Sequence, residues 1–208
     1  MLSAIHALDR LREGNRRFAS NQEAGRVLSI PTRAAELVGG QEPFAIILGC
    51  SDSRVPAELV FDQGFGDLFV IRVAGNIVAP SQVGSVEFAA SRFGTRLVVV
   101  LGHSQCGAVG AALDELQGRV TNHSRNLRSI VDRVRPSLET LLGSRREDDA
   151  ETLLNEAVRS NVRASADHLR HASELLESLI QGDGLLVVGA VYSLETGLVD
   201  FFDGILET

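Results

Sequence analysis

Two short apolar runs in the chain end in the same way. Ile46-Ile47-Leu48 passes into Gly49-Cys50-Ser51-Asp52-Ser53-Arg54. Leu97-Val98-Val99-Val100-Leu101 passes into Gly102-His103-Ser104-Gln105-Cys106-Gly107. Apolar runs of this length, closed by turn residues, predict buried strands. The pattern places strands over 44–49, 68–73, 97–101, 185–192 and 198–202. Each of the two matching strands delivers polar, reactive side chains at its carboxyl end, where open α/β sheets bind ligands.

Between the strands the spacing turns helical. Over 3–20, Ile5, Leu8, Leu11 and Phe18 form a thin apolar stripe among Arg10, Arg12, Glu13, Arg16 and Arg17, with Ser3 placed to cap the helix. So narrow a stripe has two possible covers, its own core or a neighbouring subunit. Pro31 opens a short helix over 32–38, stopped by Gly39-Gly40, and Pro56 opens another that runs to Phe61. Further helices are expected over 84–93, over 103–116 and through 121–181, the last broken at Gly143 and the charged residues 145–149. Strands alternating with helices predict an α/β fold: a mainly parallel sheet with helices on both faces. The short Glu195-Thr196-Gly197 turn makes the last strand an antiparallel edge. With no repeat and no linker, residues 1–208 read as one domain, a helical arm over 1–40 and an α/β core over 41–208.

Composition narrows the function. The 208 residues carry 20 Lys+Arg against 27 Asp+Glu, a net charge of −7. A nucleic-acid binder would need clustered basic surface, so that class is set aside. No apolar run approaches the roughly 20 residues of a membrane span. The charged first residues lack the apolar segment of a secretory signal. Cys50 and Cys106 are the only two cysteines, which suits a reducing, cytoplasmic setting.

Those two cysteines could be inert buried thiols or one disulfide. Their neighbours argue for a metal. Cys50, Asp52, His103 and Cys106 are thiolate, carboxylate and imidazole donors, the set that zinc takes in a tetrahedron. His103 and Cys106 stand three apart at a predicted helix start and so face one point. Iron–sulfur clusters need more thiolates than two, and soft donors disfavour magnesium and calcium. Three firm ligands, Cys50, His103 and Cys106, leave a fourth position that Asp52 either fills or vacates. A closed set of four is structural, an open set of three catalytic. Arg54, two residues on, can hold the Asp52 carboxylate as a bidentate pair and so keep that position open for water. The plain alternative for Asp52 and Arg54 is a turn cap and a surface charge. Two thiolates cancel the dication's charge, so activity is expected to rise on the alkaline side of neutrality, with low pH favouring ligation by Asp52.

Other polar residues read as structural. His6, His123, His168 and His171 fall on solvated positions. The glycines from Gly107 to Gly110 lack the lysine of a phosphate-binding loop, and fit close helix packing instead. Arg72, a charge inside a predicted strand, needs a partner.

The segments Cys50-Ser51-Asp52-Ser53-Arg54-Val55-Pro56-Ala57-Glu58 and Gly102-His103-Ser104-Gln105-Cys106-Gly107 resemble the β-class carbonic anhydrases. So do Phe69-Val70-Ile71-Arg72-Val73-Ala74-Gly75-Asn76 and Gly84-Ser85-Val86-Glu87-Phe88-Ala89. The likeness runs from about residue 5 to residue 202. It implies interconversion of carbon dioxide and bicarbonate, one zinc per subunit, and assembly as a homodimer or homotetramer with the N-terminal helix on the partner. It also implies roles: Cys50, His103 and Cys106 as ligands, and Asp52 with Arg54 as a catalytic dyad. Gln41, Phe69, Ala74, Phe88 and Gly107 would contact substrate. The chain departs from the family at Phe88, often Tyr, and at Ala74, often Val. One branch carries a regulatory bicarbonate site of Trp, Arg and Tyr. Arg72 and Tyr192 match two of those positions, but Ile47 stands at the third and the chain has no Trp. Arg72 is then expected at an interface or in a structural ion pair. Two other readings share the same residues: hydrolysis of carbonyl sulfide or carbon disulfide, and a non-catalytic, zinc-closed bicarbonate sensor.

Overall fold

The sheet is built from the predicted runs. A computed structural model describes residues 2–20, 38–119, 124–144 and 149–205. The expected helix over 32–38, save its last residue, and His123 lie outside the described residues. The strands are β1 (Ala45–Gly49), β2 (Leu68–Arg72), β3 (Leu97–His103), β4 (Leu186–Tyr192) and β5 (Val199–Asp203). Their order is β2-β1-β3-β4-β5, parallel throughout except for the β4–β5 pair. β1 and β3 are buried along their whole length, which is why they read as unbroken apolar runs. Successive side chains of a strand point to opposite faces. Ile47, Val99 and Val188 therefore enter one apolar layer, and Ile46, Leu48, Val98 and Val100 the other.

The helices are α1 (Ala4–Ala19), α2 (Ala57–Val60), α3 (Pro80–Arg92), α4 (Gly107–Leu116), α5 (Arg125–Ser144), α6 (Ala150–Arg170) and α7 (Glu174–Gly182). Ser3 caps α1 as expected, its hydroxyl accepting from His6 N. The stripe of α1 is covered by its own chain: Ala4, Ala7, Leu8 and Leu11 join the layer of Phe44, Ile47, Phe61 and Tyr192. Of the two covers the stripe allowed, its own core takes these four residues, and Ile5, placed in the stripe, is exposed. Two polar details explain the fit. Gly14 lets the helix touch α2, since a Cβ there would stand 1.9 Å from Phe61 O. Asn15 donates to Val60 O and Gly197 O and accepts from Val199 N, which ties α1 to the β4–β5 hairpin.

Three boundaries differ from expectation. Helix α3 begins at Pro80, whose fixed φ and missing N–H suit a first helical position. The 121–181 stretch breaks a second time, at His171, before Ser173 caps α7. The third difference matters for chemistry: β3 extends to His103, and α4 begins only at Gly107. His103 therefore ends a strand. Close packing of α6 behind β3 and β4 uses glycine: a Cβ at Gly102 would stand 2.5 Å from Val162 Cγ2, and one at Gly189 2.8 Å from Val162 Cγ1.

Candidate metal centre

Parallel pairing of β1 with β3, Gly49 opposite Leu101, brings their carboxyl ends side by side. Cys50 follows β1 directly and His103 closes β3. A tight turn then carries the chain from His103 to Cys106, with Gln105 in the left-handed region at φ 56°. That conformation is costly for a non-glycine residue. The turn, rather than helical spacing, aims His103 and Cys106 at one point. Ser104 pins it: its N–H donates to Tyr192 O and its hydroxyl accepts from Leu194 N.

The donor atoms of Cys50, His103 and Cys106 lie within 4.8 Å of one another, and all three residues are buried. His103 Nδ1 lies 2.9 Å from Ser104 O and donates to it, which fixes the tautomer. Its Nε2 is then a bare acceptor, buried and without a hydrogen-bond partner among the described residues. Buried polar atoms are otherwise paired. An unpaired imidazole nitrogen beside two thiols is what a metal ion satisfies. The cysteines agree. Cys106 donating to Cys50, helped by His103 and by the Gly75 N–H at 3.3 Å, brings the Cys50 thiol down to about 4 against the opposing effect of burial. The same contact, and burial, push the Cys106 thiol up, so one proton is held between two sulfurs. Burial pulls His103 down, but contacts with Cys50 and Ser104 outweigh it and raise the imidazole. Metal binding needs thiolates and neutral imidazole, and a dication relieves this crowding of negative charge.

Asp52 stands beside the cluster and faces Arg54. Arg54 Nε donates to Asp52 Oδ1 at 2.9 Å, Nη2 to Oδ2 at 2.8 Å, and the Arg54 backbone N–H to Oδ1 at 2.9 Å. This fork holds the Asp52 carboxyl well below the usual carboxylate range. Asp52 Oδ2 is 3.8 Å from His103 Nε2. The carboxylate therefore adjoins the cluster and is engaged by arginine.

The five expected substrate contacts divide into two groups. Ala74 precedes Gly75, whose N–H reaches Cys50 Sγ, and Gly107 opens α4 directly after Cys106. These two adjoin the centre along the chain. Phe69 pairs with Ile46, four residues before Cys50, or about 13 Å along the strand. It packs against Phe88 and Phe93. Gln41 shares a groove with Phe93 ahead of β1, at the opposite end of that strand from Cys50. Within one chain, Gln41, Phe69 and Phe88 are not gathered to the metal cluster.

Two neighbours of the centre hold its backbone, in roles the sequence did not assign to them. Arg72 makes no ion pair among the described residues. Its Nε donates to Cys50 O at 3.0 Å and its Nη2 to Asp52 O at 2.6 Å. Asn161, on α6, is buried and donates to Gly75 O at 2.8 Å. Its one sequence signal is an amide set in the apolar stripe of Val158, Val162 and Leu169.

A parallel α/β sheet with two thiols and an imidazole at adjoining strand ends defines a metalloenzyme of the Cys2His kind. The particular family follows from comparison. The carbonic anhydrase family profile matches residues 45–199. Carbonic anhydrase 2 of Mycobacterium tuberculosis is 39% identical, over 93% of this chain and 90% of that protein. A carbonic anhydrase of Mycolicibacterium smegmatis is 37% identical, over 94% and 92%. In structure, the β-carbonic anhydrase CafA of Aspergillus fumigatus superposes with a TM-score of 0.76 at 24% identity, covering 97% of this chain and 91% of that one. The chain belongs to the β-class carbonic anhydrases.

Proposed function

We propose that this protein catalyses the zinc-dependent, reversible hydration of carbon dioxide to bicarbonate and a proton, with Asp52 and Arg54 as its catalytic dyad. The observation that carries the proposal is the convergence of Cys50, His103 and Cys106 beside an arginine-held carboxylate. Cys50, His103 and Cys106 hold one zinc ion per subunit. Zinc bound there would supply Lewis acidity, which lowers the pKa of a water far below that of bulk water and so makes a nucleophile of it.

The remaining work falls to the protein. Asp52 is ionised and so can only accept hydrogen bonds. Arg54 places two donors on Oδ1 and one on Oδ2, so acceptor capacity remains on Oδ2, the oxygen nearer His103. Oδ2 accepts the O–H of the attacking water and turns a lone pair toward the carbon. Arg54 keeps the carboxylate charged and oriented, and draws it away from service as a fourth ligand. Ala74 and Gly107 offer small, apolar surface, suited to a substrate with neither charge nor dipole. A Cβ at Gly107 would meet nothing within 4 Å.

The reading extends to assembly and setting. Phe88 is 53% exposed beside Phe69 and Phe93, next to the edge strand β2. An aromatic cluster left open at a sheet edge favours a second copy of the chain, as homodimer or homotetramer, and substrate contacts from Gln41, Phe69 and Phe88 would act across that contact. No helix among the described residues is long and apolar enough to cross a membrane. Two thiolate ligands fit the reducing cytoplasm.

Stopped-flow hydration of carbon dioxide, with zinc measured on the same sample, tests the proposal. Cys50→Ser is expected to lose zinc and activity together. Full activity in a zinc-free preparation would refute it.

A further inference from the structure

Beyond Gly49 the backbone pairing of β1 stops: Val73 N donates to Gly49 O, and the chain then leaves the sheet. Cys50 and Asp52 thus sit on a segment that the ladder no longer holds. Arg72 takes over. It ends β2, opposite Gly49, and its planar fork spans the carbonyls of Cys50 and Asp52. One rigid group thereby sets the spacing between the thiolate-bearing residue and the carboxylate-bearing one.

The sulfur of Cys50 is held from the other side. Gly75 donates its N–H to Cys50 Sγ while its own carbonyl accepts from the buried Asn161 amide. Gly75 has φ 72°, and a Cβ there would stand 3.1 Å from Ala108 Cβ on the first turn of α4. It is wedged between Cys50 and the helix that Cys106 opens. Asn161 fixes the glycine in the conformation that aims its N–H at the sulfur. A polar side chain serving only its own helix would bond within that helix or to solvent. This one reaches a residue 86 positions away.

We infer that Arg72 and Asn161 are positioning residues of the metal centre, Arg72 acting through the backbone of Cys50 and Asp52, and Asn161 through the Gly75 N–H on Cys50 Sγ. The inference rests on Cys50, His103 and Cys106 being the zinc ligands. Groups that orient metal ligands change affinity by about 10–100-fold when removed. Arg72→Met, Arg72→Lys and Asn161→Leu are compared with wild type and with Arg96→Met. Arg96 likewise donates to two carbonyls, Ala90 O and Thr95 O, but away from the centre.

Two readouts are taken: zinc affinity by chelator competition, and the visible spectrum of the cobalt(II)-substituted protein, whose thiolate-to-cobalt band reports the sulfur. Arg72→Met and Asn161→Leu are expected to weaken zinc by about tenfold or more and to shift that band. Arg72→Lys, a single point donor, recovers part of the loss. Arg96→Met lowers the unfolding temperature alone. Folded Arg72→Met and Asn161→Leu proteins with wild-type zinc affinity and superimposable cobalt spectra overturn the inference. If Asn161→Leu does not fold, the Arg72 pair decides, because that side chain is exposed. A wild-type chain that binds no zinc, or cobalt without a thiolate band, would instead overturn the ligand reading beneath it.

Discussion

Single side chains in this protein act through what their neighbours do to their charge. Asp52 is partly open to solvent, yet two donors from the Arg54 side chain and one from its backbone keep it ionised. Asp52→Asn keeps the shape and removes the charge. It is expected to lower kcat by about 10²–10³-fold while zinc content stays at one per chain, as measured by stopped flow and metal analysis. The pair also has a signature in stability. A carboxyl whose folded pKa lies below its unfolded value contributes stability above the unfolded pKa and loses it as pH falls toward the folded one. The advantage of wild type over Asp52→Asn in urea midpoint should therefore be full at about pH 6 and shrink below about pH 4, near the ordinary aspartate value. Solvent exposure keeps the effect small. In catalysis, Cys50 and Cys106 as thiolate ligands would offset the charge of zinc, so the rate is expected to climb between about pH 6.5 and pH 9. A flat profile over that range would count against the centre as described.

Elements meet where small residues allow it. α1 approaches α2 at Gly14, and α6 approaches the sheet at Gly102 and Gly189. Alanine in a helix interior is favoured over glycine by about 1 kcal/mol. At Gly14 that gain is outweighed, since the added methyl would stand 1.9 Å from a backbone carbonyl that cannot swing aside. Gly14→Ala is expected to destabilise by about 1–3 kcal/mol, read as a lower urea midpoint with an unchanged slope. The pattern of apolar positions located nearly every strand to within a residue or two. It missed the end of β3 because Gly102 and His103 are not apolar, although both are buried and paired with β4. Periodicity reports which residues avoid water. It does not report a glycine buried for want of space or a histidine buried to hold a ligand.

The molecule as a whole couples folding to its metal. Cys50, His103 and Cys106 come from two strand ends and a turn and converge only in the folded chain, so zinc held by them would bind the native state and stabilise it by mass action. With free zinc at about 100 times its dissociation constant, the unfolding temperature is expected to rise by roughly 5–10 °C over the zinc-free protein in a calorimetric scan. The open aromatic cluster of Phe69, Phe88 and Phe93 makes a second prediction at this level. Phe88→Asp should shift sedimentation toward the monomer and leave zinc content intact.

The α/β class, the five strands, the gathering of Cys50, His103 and Cys106, and the pairing of Asp52 with Arg54 were all legible in the chain. Each depends on near neighbours: an apolar run, two residues from carboxylate to guanidinium, three from imidazole to thiol. Four features were not legible. Arg72 clasps two carbonyls in place of an ion pair, and Asn161 supports Gly75 from another helix. The choice of its own core for α1, one of two covers the stripe allowed, and the distance within one chain of Gln41, Phe69 and Phe88 from Cys50, His103 and Cys106 are the other two. These depend on hydrogen bonds to backbone groups and on packing between segments far apart in sequence. A backbone carbonyl carries no residue identity, so no motif announces which side chain will find it. Cys50 and Asp52 could be named as a pair from their spacing, but the arginine that holds them at that spacing is visible only when β2 is laid beside β1.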